Sequence, residues 1–246
     1  TTENARYLPR FQQLCEKYGF KPVWLTNYEM AIDPVYIEFA KDAIARGTAE
    51  IGMHLHAWNS PPTDPLTDDD WRHKPYLIEY SDAAMRAKVD YMNSLLEDTF
   101  QNKMVSHRAR RWAFDERYAS LLVEYGYLVD CAVTPRVNWK TAKGAPQGDG
   151  GTDYRHFPQH AYFLDENDIR REGQSSLLEV PMSIQYKHSA WMNSLKQGYD
   201  RLRGKVRSPS VHWLRPMGGN VETMKKVVEQ TLTQGNDYVE YMLHSS

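Results

Sequence analysis

Three short runs of this chain carry residue types that could do chemistry. In "EIGMHLHAWNSPP", Glu50 to Pro62, His54 and His56 flank a single leucine, and the chain then breaks at Trp58, Asn59 and two prolines. On a strand, residues i and i+2 point to the same face, so both imidazoles can reach one ion at about 2.0–2.1 Å, the Zn–N distance. Two histidines do not complete a catalytic zinc, which commonly has three protein ligands and a position for water. With nine histidines in 246 residues the spacing alone is weak, and a histidine pair bonded in the core or lining a groove is the plainer alternative. In "SHRARRW", Ser106 to Trp112, three arginines lie within four positions and a tryptophan follows. Arginine stays charged and holds planar groups in fixed geometry, which suits orienting a carboxylate or gripping an oxyanion. Arg108 lies nearest the expected strand end and is the functional candidate. Arg110 and Arg111 read as a solvated basic turn, with Arg111 kept as a possible substrate contact. The third run is "YMLHSS", where His244 closes an apolar stretch. A histidine there titrates near neutrality and can donate or accept a proton, or can simply bond a backbone carbonyl.

Other candidates are weaker. His156 and His160 stand at i and i+4, a helical metal spacing, but Pro158 between them argues against a helix. The acidic run Asp68, Asp69, Asp70 reads as a solvated loop. Glu29, just after "WLTN", is the best carboxylate in view for a strand-end site. Serine-nucleophile, Walker and dinucleotide glycine patterns are absent. Cys15 and Cys131 sit in apolar surroundings and read as reduced, buried thiols.

These runs need elements that bring them together. Helical spacing marks "NARYLPRFQQLCEKYG", "DPVYIEFAKDAIARG", "SDAAMRAKVDYMNSLLEDTF", "DERYASLLVEYG" and "GGNVETMKKVVEQTLTQG". Asp33, Ser81 and Asn220 are expected N-caps, and Gly19, Gly47 and Gly235 expected stops. Strands are expected at "KPVWLTN", "AEIGMHLH", "MVSHRARRW", "YLVDCAV", "SSLLEVPMS", "VHWLRP" and "DYVEYMLH", about seven in all. Their alternation with helices predicts parallel β with crossover helices, a barrel or a doubly wound sheet. In either, function collects at the C-terminal ends of strands, where His54, His56, Arg108 and His244 are expected. The Gly- and Pro-rich stretch 134–160 is too long for an idle connection.

Bulk properties narrow the class. The chain is 41% hydrophobic and 25% charged with a formal net charge of −2, so it lacks the basic stripe of a nucleic-acid binder. No apolar run approaches the roughly 18 residues of a membrane span. Nothing divides the chain into compositionally distinct halves, so residues 1–246 read as one domain, trimmed at both ends.

Taken together, "EIGMHLHAW", "SHRARRW", "EYGYLVDCAVTP", "LLEVPMS" and "MLHSS" resemble, in order and spacing, the polysaccharide deacetylase family, also known as the NodB-homology or carbohydrate esterase family four group. More narrowly, the chain is similar to bacterial members encoded with O-antigen and lipopolysaccharide biosynthesis genes. The resemblance implies an α/β fold built as a deformed (β/α) barrel, a divalent metal, usually zinc, and removal of an acetyl group from a sugar or polysaccharide, here in the bacterial cytoplasm. It implies His54 and His56 as metal ligands, Arg108 orienting a carboxylate base, and His244 as the acid beside an acetyl pocket formed by Leu243. Trp58, Trp112 and Arg111 would contact the sugar. Two departures stand out. The family's two histidine ligands are four apart, whereas the position four after His54 is Trp58. The family's aspartate-bearing first strand has no counterpart before Ala5 and is expected upstream of Thr1. A metal amidohydrolase acting on a non-sugar amide and a metal-free sugar-binding barrel are the alternatives.

Overall fold

The computed structural model describes residues 2–188, 191–193, 195, 199, 202–203 and 210–244. Helix α1 (Leu8–Lys17) ends at Gly19, whose φ of +74° is the left-handed stop the sequence predicts. Strand β1 (Val23–Thr26) leads into the single turn α2 (Tyr28–Ala31), capped where the Asn27 side chain accepts from Met30 N at 3.0 Å. Helix α3 (Pro34–Ala45) carries Asp33 as its cap, and strand β2 (Glu50–Met53) follows. Next come the short α4 (Asp70–His73), the long α5 (Asp82–Phe100) capped by Ser81, β3 (Ser106–His107), α6 (Glu116–Glu124) and β4 (Val129–Asp130).

Strands β5 (Tyr162–Phe163), β6 (Leu178–Glu179), β7 (Ile184–Tyr186) and β8 (Val211–Trp213) precede the last described helix, α7 (Val221–Thr233). Asn220 sits at the N-cap of α7 but does not cap it. Its side chain instead accepts from Met217 N and donates to Arg215 O.

Six strands form one sheet in the order β1-β2-β3-β4-β6-β5. All its pairings are parallel except β5 with β6, so the chain is α/β with a mostly parallel sheet. Strands β7 and β8 form a separate antiparallel pair. Strands β1 and β5 stand at the two ends of the six-stranded order, and no pairing joins them among the described residues.

Helix α5 buries Met85, Val89, Met92, Leu96 and Phe100, a 3.6-residue stripe facing the sheet. Each such fully buried side chain contributes about 1.5–3 kcal/mol. Gly52 has a packing reason. A Cβ there would meet Ser106 O at 2.7 Å and Leu25 Cδ2 at 2.9 Å, so β2 can lie this close to its neighbours only with glycine.

Two expectations need correction. Eight strands are present among the described residues, six of the seven expected together with β5 and β7, which the sequence reading did not include. The segment "DYVEYMLH" is not a strand. Its alternation is real, with Met242 buried while Val239, Tyr241 and Leu243 are exposed. Yet Glu240 N donates to the Ser183 hydroxyl rather than to a backbone carbonyl, so no ladder forms around the single backbone bond from Met242 N to Leu214 O. Among the described residues, no helix is long and apolar enough to cross a membrane.

Candidate active site

The register of the sheet lines up the site. Met53 pairs with His107, His107 with Asp130, and Asp130 with Glu179, at the C-terminal ends of β2, β3, β4 and β6. Residues in parallel register share a face, and their successors take the other. His54, Arg108 and Cys131 are those successors. Their backbone amides continue the pairing by donating to Thr26 O, Met53 O and His107 O.

His54 is buried, and its Nδ1 lies 2.7 Å from Arg108 O. A carbonyl can only accept, so Nδ1 carries the proton and Nε2 keeps its lone pair. Burial above all, with His56, Arg108 and Arg110 adding, keeps His54 neutral well below the usual imidazole range. His56 is 7% exposed, with its ring edge-on to His54 at 5.0 Å and stacked on Trp58 at 4.9 Å. Its Nδ1 is 3.9 Å from Glu29 Oε2, and its Nε2 is buried without a hydrogen-bond partner. Burial, then the charges of Arg110, His244 and Lys74, pushes it down to about 2. Both rings are therefore neutral at physiological pH, the state that binds a metal.

The loop after the pair is pinned from beneath. Asn59 N and Ser60 N donate back to His56 O. The buried Lys88 Nζ donates to Ser60 O at 3.0 Å and Pro62 O at 2.7 Å.

Arg110, which the sequence reads as part of a solvated turn, lies at the centre of the site. Its Nη1 is 3.0 Å from His244 Nε2, and its guanidinium sits over the Trp58 ring at 5.7 Å. Burial lowers its pKa, with Arg108 and Arg111 adding and Glu29 opposing. Because Arg110 donates, His244 Nε2 accepts, and a neutral His244 keeps its proton on Nδ1. His54, His56, Trp58, Arg108, Arg110 and His244 are thus gathered in one place, although the last two of the motif's residues, 245 and 246, lie outside the described residues.

The other candidates are placed differently. Arg111 donates to Lys74 O and Lys143 O and lies 4.2 Å over the Tyr76 ring, so its fork is already engaged with the protein. Leu243 is 42% exposed. Trp112 stacks on Trp139 at 5.1 Å and tilts against Trp213 at 5.4 Å, and its indole N–H is buried without an acceptor. Trp139 comes from the long 134–160 stretch, folded back through Trp139 N to Thr152 O and Gly151 N to Trp139 O. That stretch is therefore not idle. It builds part of the aromatic wall, which the sequence offered no periodic signal to find.

A second group the sequence did not flag lies just beneath. Glu240 keeps a buried, unpartnered Oε2, and burial pushes its pKa up to about 8, with Arg108 opposing and Asp130 adding. Glu179 is fully buried, and its Oε1 accepts from Val133 N. Burial and the neighbouring Asp130 hold Glu179 protonated well above the carboxylate range.

The donor chemistry fits half of a zinc site. Two neutral imidazoles present lone-pair Nε2 atoms, one of them buried and unpartnered. His54 donates Nδ1–H to a backbone carbonyl, the outer-shell arrangement that metal-binding histidines use, while the acceptor nearest His56 Nδ1, Glu29 Oε2, stands 3.9 Å away. Two rings on one tetrahedral zinc would have centroids about 5 Å apart, in line with the spacing here. Among the described residues no set of three His, Cys, Asp or Glu side chains converges as ligands.

No protein-family model matches the chain, and no curated protein matches it by sequence. Solved structures do. One is a Mycobacterium smegmatis protein assigned as a polysaccharide deacetylase, with a TM-score of 0.50 and 16% identity over 96% of this chain. Two mutant forms of a CE4-family pseudoenzyme, one with restored enzymatic activity, align with a TM-score of 0.42 and 12% identity. This chain covers 63% of the Mycobacterium protein and 61% and 62% of the two mutant forms. At 16% identity the likeness to the Mycobacterium protein is one of fold: an α/β chain with a mostly parallel sheet, similar to that of a protein assigned as a polysaccharide deacetylase.

Proposed function

We propose that this chain is a zinc-dependent hydrolase that removes an acetyl group from an N-acetylated sugar or polysaccharide, on a deformed barrel of the NodB-homology type. The observation that carries this reading is the pair of neutral imidazoles with available Nε2 atoms beside the Arg110–His244 contact. The motif resemblance and the fold likeness support it.

His54 and His56 would hold the metal, which when bound supplies Lewis-acid polarisation of the acetyl carbonyl and an acidified water. The protein's own groups do the rest. Arg110 fixes the His244 ring so that Nδ1 carries a proton for the leaving amine nitrogen. Arg108 lies near both His54 and Glu240, where its charge opposes the burial that keeps the Glu240 carboxyl protonated and would favour the ionised form of a carboxylate base brought to the site. Trp112 and its stacked neighbours offer an aromatic wall to a sugar ring. A role in O-antigen or cell-surface polysaccharide synthesis, in the cytoplasm, is the part of the proposal that the motif resemblance alone supports.

The test is acetate release from a panel of N-acetylated hexosamine oligosaccharides, with and without added zinc. Zinc-dependent release that disappears in His54→Ala is expected. A second reading has one observation in its favour, the missing third ligand among the described residues. A sugar-binding barrel of that kind would bind the same oligosaccharides and release no acetate.

A further inference from the structure

The two imidazoles of the pair are set by different means. His54 is held by a backbone carbonyl, which no substitution removes. His56 has no such acceptor, and the group nearest its Nδ1 is the Glu29 carboxylate. Glu29 sits in the first turn of α2, where the Asn27 cap fixes the start of the helix directly after β1. One of its oxygens, Oε1, accepts from the Asn59 amide. The other, Oε2, is buried, has no hydrogen-bond partner and lies 3.9 Å from His56 Nδ1. Stacking on Trp58 holds the plane of the His56 ring, and in that plane its Nδ1 edge faces Glu29.

We propose that Glu29, clamped by Asn59, is the positioning residue of His56: its carboxylate selects the Nδ1–H form of the ring and leaves the Nε2 lone pair facing the site. A neutral imidazole carries one proton on one of two nitrogens, and an anionic acceptor beside Nδ1 favours placing it there. His54 is forced into the same form by the Arg108 carbonyl, so both rings present Nε2. The sequence offers Glu29 as a carboxylate near a strand end; the structure gives it a partner and a task. The functional consequence rests on the reading of the pair as metal ligands, whereas the ring form does not.

The test uses the full chain, metal-free, with ¹⁵N-labelled histidine. Long-range ¹H–¹⁵N correlation at neutral pH should show His56 as Nδ1–H in the parent. Glu29→Ala should shift it towards Nε2–H, and Glu29→Gln, which keeps an acceptor oxygen, should restore the parental form. The His54 ring should not change in either variant. Zinc titration should show affinity about 10–100-fold weaker in Glu29→Ala, the usual effect of losing an outer-shell partner. Asn59→Ala, which frees the carboxylate without removing it, should move both readouts the same way and less.

An Nε2–H form of His56 in the parent, or no change in Glu29→Ala, overturns the assignment. A change of ring form with unchanged zinc affinity overturns the claim that Glu29 serves the metal. A parent chain that binds no zinc sinks the metal reading, while the ring form still decides on Glu29.

Discussion

His107 on β3 and His54 just past the end of β2 stand one register position apart and on opposite faces, yet they are built for different ends. His107 is fully buried and spends both nitrogens, Nδ1 on Asp130 at 2.6 Å and Nε2 on the Tyr118 hydroxyl at 2.7 Å. It ties β3 to β4 and to α6 and has nothing left to offer a ligand. His54 spends Nδ1 on a backbone carbonyl and keeps Nε2. The difference teaches that a site is found in what remains unpaired after the fold has satisfied itself. Buried polar groups are nearly always bonded, so the exceptions need a reason. Among the described residues, four of the eight buried atoms left without a partner, Glu29 Oε2, His56 Nε2, Asn59 Oδ1 and Arg110 Nε, belong to the His54 side, whereas Glu179 Oε2 lies in register with His107.

Substitutions can sharpen the contrast. On the site face, His244→Ala should cut acetate release by about 10²–10⁴-fold, the usual worth of a positioned acid, while the melting temperature stays near the parental value. Parental turnover would remove His244 from the mechanism. On the structural face, His107→Ala should do the reverse. It strands the buried Asp130 carboxylate and should cost about 3–5 kcal/mol of stability by urea denaturation, while the folded fraction still binds zinc. Between the faces, Gly52→Ala should cost about 1–3 kcal/mol through overpacking against Ser106 O and Leu25, with little change in zinc affinity per folded molecule. Parental stability in this variant would show that β2 can shift without penalty.

The smallest expected effect concerns the carboxyls beneath. The pKa of Glu240 is raised to about 8, so the folded state keeps a proton that the unfolded chain loses above its ordinary range. The unfolded state therefore binds fewer protons, and stability falls as pH rises from about 4.5 towards 8. Glu179 acts with the same sign. Glu240→Gln should flatten part of that decline in melting temperature against pH, and an unchanged slope would place Glu240 in water.

The sequence made some of this legible and not the rest, for physical reasons. Caps such as Asp33 and Ser81 and stops such as Gly19 act within a few residues, so the helices could be read directly. The parallel pairing of β1 to β4, though not their order, followed from strand and helix alternation. His54 and His56 showed themselves because their spacing is local, although β2 ends at Met53, short of the strand expected through His56, and both histidines lie just past it. Arg110 did not, because its place depends on meeting His244 from 134 positions away. Nor did the Trp112–Trp139–Trp213 wall, whose members come from three separate segments. The strand expected at 237–244 failed because alternation predicts which face is buried, not whether a neighbouring backbone is there to pair with.

Zinc content decides the matter. The purified parent, His107→Ala and the double variant His54→Ala/His56→Ala, each dialysed after zinc loading, are measured by elemental analysis per folded chain. Close to one zinc is expected in the first two and essentially none in the third. Equal zinc in all three, or none in the parent, would contradict the assignment of the imidazole pair as the metal-binding half of an active site.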